Sequence, residues 1–151
     1  MSDETRHPLA DLSATEALGR RIAALLRPGD IVALRGGLGA GKTTLARAII
    51  AALGHVGEVP SPTFAIIQTY GPPDVSLPLV HADFYRLEDP MEVEELGLGD
   101  YLEDAALIAE WPEMAGGFAH DPACLEIHIE TGGSERIAIA RAGADWLERW
   151  G

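Results

Sequence analysis

Lysine occurs once in this sequence, at position 42, and every other basic residue is arginine or histidine. Lys42 lies in Gly36-Gly37-Leu38-Gly39-Ala40-Gly41-Lys42-Thr43, which satisfies G-x-x-x-x-G-K-[ST]. A chain that writes its other long cations as arginine has kept one compact ammonium where a planar guanidinium would not serve. The chemistry of the motif supplies the reason. Glycines let the backbone turn tightly and approach a phosphate chain, so that successive amide N–H groups point at its oxygens. A helix that follows adds the positive end of its dipole. The lysine reaches the β and γ phosphates as a mobile point charge, and the Thr43 hydroxyl can ligate Mg²⁺.

Such a site also needs carboxylates for metal and water. "AALIAE" ends an apolar run on Glu110, and "LVHAD" places Asp83 in the same way. Strand alternation sets His81, Asp83 and Tyr85 on one face and Phe84 and Arg86 on the other. Spacing alone does not say which acid holds the metal. Trp111 reads either as a cover over the site or as a packed core residue. His81 reads as an orienting or structural histidine rather than a base, and Arg86 as a salt-bridge partner rather than a phosphate clamp. The usual guanine-reading N-K-x-D cannot exist here, because the chain has no asparagine and its lysine is already used. ATP is the expected nucleotide.

The elements that would position these residues follow from periodicity. Ser13 to Glu16 reads as a capping box that opens a helix carrying Leu18, Ile22 and Leu25 or Leu26, stopped by Pro28 and Gly29. Asp30 to Leu34 is a nearly continuous apolar run, the pattern of a strand buried on both faces. The glycine segment comes next, followed by a helix over 43–53. Further strands are predicted in "FAIIQTY", "LVHADFYRL" and "AALIAEW", with a short acidic helix from Asp89 and Pro90 through Glu95. "CLEIHIE" and "ERIAIAR" alternate in period two around residues 131–134, a hairpin signal. The expectation is one α/β domain over 1–151: a mixed sheet flanked by helices, parallel around the glycine loop and ending in an antiparallel hairpin.

Composition limits the partners. The chain has 151 residues and a net charge of −13, from 24 acids against 11 bases. That charge opposes direct binding of a phosphate backbone, so any nucleic acid is expected to be held by a partner. No apolar run approaches a membrane span, the N-terminus lacks a secretory pattern, and a cytoplasmic protein is expected. The single cysteine, Cys124, cannot form an internal disulfide.

With these pieces in place the chain resembles the bacterial TsaE family, formerly YjeE, the ATPase of tRNA threonylcarbamoyladenosine (t6A) synthesis. The resemblance is carried by "LGAGKTT" at 38–44, "SPTF" at 61–64, "HADFYRL" at 81–87 and "EWPE" at 110–113, in family order and spacing. It covers most of residues 12–113, and the C-terminal third matches only in its hairpin pattern. What the resemblance implies is a small P-loop NTPase-like fold that binds ATP and Mg²⁺ and hydrolyses ATP slowly alone. It also implies work with TsaD and TsaB, which transfer a threonylcarbamoyl group to the adenine beside the anticodon, so that tRNA is met only through the complex.

Carried over by position, Leu38, Gly39, Ala40, Gly41, Lys42, Thr43 and Thr44 would cradle the nucleotide, with Lys42 and Thr43 on phosphate and metal. Asp83 and Glu110 look like the acidic pair, with Glu110 near Mg²⁺. Thr63 looks like a switch-type hydroxyl facing the γ phosphate, and Leu12 would lie near the adenine. Phe84 departs from the family, which often has leucine there. Partner-facing surfaces are expected in the 61–64 loop and in the acidic "EDPMEVEE" at 88–95. Two other readings compete: a small-molecule kinase, which would need arginines closing over the phosphates, and a nucleotide-gated binding module with negligible turnover.

Overall fold

The computed structural model describes residues 4–37, 39–56, 67–85, 87, 89, 91, 97–118, 121–132 and 135–150. Seven strands form one sheet in the order β1-β7-β6-β2-β5-β4-β3. They are β1 (Glu4–Pro8), β2 (Ile31–Arg35), β3 (Ile67–Tyr70), β4 (Leu79–Asp83), β5 (Ala106–Glu110), β6 (Cys124–Gly132) and β7 (Glu135–Ala142). β6, β2, β5 and β4 are mutually parallel, whereas β3, β7 and β1 pair antiparallel to their neighbours. The expected mixed sheet is therefore present, with its parallel strands at the centre and the predicted hairpin as β6–β7.

The central strands are apolar on both sides because both sides are covered. Val32, Leu34, Ile108, Leu79 and Ile127 face helices α1 (Leu12–Leu25) and α2 (Lys42–Ala52). Ile31, Ala33, Leu107, Ala109, Val80 and Ala82 face a smaller cluster that includes Phe84 and Leu87. Phe84 is fully buried there, which accommodates the aromatic ring where the family often has leucine. No side chain would fit at Gly19 of α1, since a Cβ there would lie 2.6 Å from the Cβ of Ala48 on α2. The missing side chain lets α1 and α2 cross in direct contact there.

One sequence expectation is corrected, and two further features carried no local signal. The cap of α1 is Asp11, whose Oδ1 accepts from the Ala14 N–H at 2.9 Å, so Ser13 lies inside the helix and the 13–16 capping box does not form. An aspartate at this position satisfies the first-turn donors equally well and starts the helix earlier. Strand β1, "ETRHP", was not expected because it has no apolar alternation; as an edge strand it pairs only with β7. Finally, the C-terminal segment is structured. Trp146 and Trp150 are buried, and Arg149 donates to Asp30 at 2.7 Å and to the Leu25 carbonyl at 2.7 Å, closing the chain's end over the α1–β2 junction. Cys124 is a free, buried thiol, and burial pushes its pKa up to about 12. No helix among the described residues is long and apolar enough to cross a membrane.

Candidate functional site

The glycine segment joins the end of β2 to the start of α2, between strands β6 and β5. Gly36 has φ +148°, and a Cβ on it would meet the Ile129 carbonyl oxygen at 2.8 Å. Gly41 has φ +111° and caps α2 with no side-chain hydrogen bond. Both positions therefore exclude other residues, one by collision and both by backbone conformation. The first-turn amides of α2 begin at Lys42 and carry the helix's partial positive charge toward the loop.

Lys42 is buried, and its Nζ donates to the carbonyls of Gly36 and Gly37, both at 2.7 Å. The same ammonium sits 4.1 Å from the ring centroid of Trp111, a cation–π contact. Burial lowers the lysine's pKa, against the opposing charges of Glu110, Glu113 and Asp83. Trp111 has φ 56°, the one left-handed non-glycine residue among those described, and its ring also contacts Tyr85 at 4.8 Å. This conformation turns the chain sharply after Glu110, bringing the indole over the loop. Trp111 is thus a cover and not a core tryptophan.

Beneath that cover runs a short chain of hydrogen bonds. The Thr43 hydroxyl donates to Glu110 Oε1 at 2.6 Å, and His81 Nε2 is 2.6 Å from Glu110 Oε2. A carboxylate can only accept, so the imidazole carries its proton on Nε2. Glu110 and His81 are both buried, and His81 Nδ1 has no hydrogen-bond partner among the described residues. Asp83 lies opposite Glu110 in the β4–β5 register. Its Oδ1 accepts from the Tyr85 N–H at 3.0 Å. Burial raises the Asp83 pKa; the Tyr85 hydrogen bond opposes that shift and the Glu110 charge adds to it.

Lys42, Thr43, Asp83 and Glu110 therefore converge as their sequence positions suggested. Gly39, Ala40 and Gly41 form the turn that leads into them. His81 is in contact with Glu110 through its Nε2. His81 and Asp83 share a sheet face as alternation requires, but β4 ends at Asp83, so Tyr85 leaves the strand and stacks on Trp111. Leu12 is exposed and borders an open groove of about 540 Å³ between α1 and α2, whose lining also includes Thr44, Arg47 and Ala48. Leu38, Thr63, Arg86 and most of 88–95 lie outside the described residues. One residue escaped the sequence reading. Arg136, at the start of β7, donates from Nη2 to the Gly39 carbonyl at 3.3 Å.

A strand, a glycine loop and a helix at the centre of a mixed sheet, with a lysine, a threonine and a strand-end carboxylate converging there, define a P-loop NTPase-like α/β protein. A family model described as "Threonylcarbamoyl adenosine biosynthesis protein TsaE" matches residues 9–138. The chain belongs to the TsaE family. Among relatives, "tRNA threonylcarbamoyladenosine biosynthesis protein TsaE" of Streptomyces coelicolor is 50% identical over 64% of this chain and 66% of its own length. The protein of that name from Bacillus subtilis is 44% identical over 66% of this chain and 61% of its own length. The matched regions thus span somewhat less than two thirds of those two proteins. The crystal structure of Bacillus subtilis YdiB superposes with a TM-score of 0.78 at 30% identity, covering 98% of this chain and 91% of that one.

Proposed function

We propose that this protein binds ATP with Mg²⁺ in the glycine loop, hydrolyses it slowly, and through that cycle supports t6A formation on tRNA in the cytoplasm. The observation that carries this reading is the hydrogen-bonded chain Thr43–Glu110–His81 at the foot of a loop that holds the only lysine of the sequence. Side-chain-free backbone at Gly36, Gly37, Gly39 and Gly41 allows phosphate oxygens to approach amide donors, and Lys42 exchanges two neutral carbonyls for charged oxygens.

Among the described residues no group of three or more His, Cys, Asp or Glu side chains forms a metal cluster. The pairing of one hydroxyl with one strand-end carboxylate suits Mg²⁺, which is held by one or two protein oxygens, phosphates and waters. Thr43 would hold it directly, with Glu110 behind the hydroxyl and Asp83 beside it. Bound Mg²⁺ would supply charge neutralisation between phosphate oxygens. His81 keeps Glu110 in the rotamer that faces Thr43. Asp83, whose proton affinity is raised, is suited to accept a hydrogen bond from a water near the site. Trp111 and Tyr85 exclude bulk water from the lysine. Leu12 and Thr44, bordering the α1–α2 groove, are suited to take the adenine.

Because the charge is −13, tRNA is met only through a complex, and TsaD and TsaB are the proposed protein partners. Transfer of the threonylcarbamoyl group would belong to them, with ATP turnover here resetting the complex. Isothermal titration calorimetry of the purified protein with ATP and MgCl₂ tests the reading. Saturable binding near one per chain that is lost in Lys42→Ala, with the far-ultraviolet spectrum retained, is expected. Absence of binding by the wild type would overturn it.

A further inference from the structure

The loop is flanked unequally. On the side of β5 and β4 stand Glu110, Asp83 and Trp111, while the side of β6 and β7 contributes a cation. β6 runs parallel to β2 with His128 opposite Arg35, the last residue before the glycines. Three residues further on, Thr131 is level with the loop, and its antiparallel partner on β7 is Arg136. The hairpin thus overshoots β2 by the length needed to carry an arginine over the glycine turn. The backbone there is pinned, since the Arg136 carbonyl accepts from the Leu9 N–H at 2.8 Å.

The guanidinium lies across the loop. Nη2 donates to the Gly39 carbonyl at 3.3 Å, and Nη1 is 3.4 Å from where a Cβ on Gly41 would stand. In a chain with more than twice as many acids as bases, Arg136 makes no ion pair among the described residues. Arg35, Arg141 and Arg149 do pair with carboxylates. A single long hydrogen bond to a neutral carbonyl is a weak hold, well beyond the usual 2.9–3.0 Å, so the head can turn at small cost.

We propose that Arg136 is a second phosphate-binding cation, supplied in cis by the hairpin and acting from outside the loop while Lys42 acts from within. This inference rests on the reading that the loop binds ATP. The guanidinium fork suits two oxygens of one phosphate chain, which an ammonium cannot engage bidentately. The arrangement then has a chemical sense: carboxylates for metal and water on one flank, and the guanidinium of Arg136 reaching in from the other.

The test separates this role from that of a strut between hairpin and loop. Wild type, Arg136→Ala, Arg136→Gln and Arg136→Lys are titrated with Mg·ATP and Mg·ADP by calorimetry, after thermal unfolding without nucleotide has shown that each folds. Glutamine keeps an amide donor but no charge, and its nitrogen ends two bonds short of the guanidinium head, so Arg136→Lys, which restores the charge at nearly full reach, is the rescue arm. Arg136→Ala and Arg136→Gln should both lose about tenfold or more in ATP affinity, the scale of one charge-assisted contact, with Arg136→Lys between them and the wild type. Wild-type affinity in Arg136→Gln or Arg136→Ala would overturn the proposal, as would an Arg136→Lys that binds no tighter than Arg136→Gln. If the wild type itself binds neither nucleotide, the ATP reading fails first and this inference with it.

Discussion

Replacing Glu110 by glutamine separates the charge at the site from the packing around it. The carboxylate is 2% exposed and accepts two hydrogen bonds of 2.6 Å, from Thr43 and from His81. Glutamine keeps one acceptor and presents an NH₂ to the other partner. If the NH₂ faced His81, the imidazole proton would have to move to Nδ1, which is buried and unpartnered, at a cost of about 1–3 kcal/mol. Facing Thr43 costs less, because the hydroxyl can rotate and accept. The amide should therefore settle with its oxygen on His81 and its nitrogen on Thr43.

Two charge-assisted bonds become neutral and weaken by roughly half, while the desolvation of a buried anion is removed. These terms oppose each other, and the net change in stability should stay within about 1 kcal/mol, or ~4 °C in melting temperature for a chain of this size. Catalysis has no such compensation. The Thr43 lone pair is turned toward an amide and the negative charge behind it is gone, so ATP turnover should fall by about a hundredfold or more. Thermal unfolding and a phosphate-release assay on the same preparation give both numbers. Wild-type turnover would refute the role given to Glu110. A melting temperature lowered by more than about 10 °C would show that its charge is structural.

Lys42→Arg places a larger planar head between Gly36, Gly37 and Trp111, so it should fold with a loss of about 1–3 kcal/mol from overpacking and bind ATP at least a hundredfold more weakly; wild-type affinity by calorimetry would remove the explanation of the lone lysine. For Asp83, the folded pKa lies above the unfolded value of 3.8, chiefly through burial. The folded state then holds the proton more tightly, so stability due to this group is full below 3.8 and is lost as pH rises through the folded pKa. Asp83→Asn should accordingly be at least as stable as wild type at pH 7, with the advantage shrinking in melting curves as pH falls; a less stable Asp83→Asn at neutral pH would contradict the sign. Gly19→Ala, which favours an isolated helix by about 0.5–1 kcal/mol, should instead destabilise by about 1–3 kcal/mol in denaturant titrations, because its Cβ would meet Ala48 at 2.6 Å.

The central strands, α2 and the convergence of Lys42, Thr43, Asp83 and Glu110 were legible because each depends on local pattern: an apolar run, a glycine spacing, an acid at a strand end. The start of α1 was misread since Asp11 and Ser13 are both capping residues, and only the hydrogen bond to Ala14 decides between them. β1 carries no signal in "ETRHP"; its pairing is dictated by the exposed edge of β7, a long-range property. Burial of Trp146 and Trp150 has the same origin, since the contacts of Trp150 with Thr5 and Arg21 join opposite ends of the chain. Arg136 was invisible for a geometric reason. Its approach to Gly39 depends on the β2–β6 register, which no local spacing encodes, although an arginine just past a hairpin turn paired beside the loop strand is the signal to seek in similar chains.

ATP turnover in the glycine loop is what the proposed function requires above all. Phosphate release from ATP by the purified protein, followed with MgCl₂, with EDTA, and in Lys42→Ala, tests it most directly. Slow release is expected that requires Mg²⁺, is abolished in Lys42→Ala, and changes in rate when TsaD and TsaB are added. Release that persists unchanged in Lys42→Ala or in EDTA, or none under any of these conditions, would contradict it.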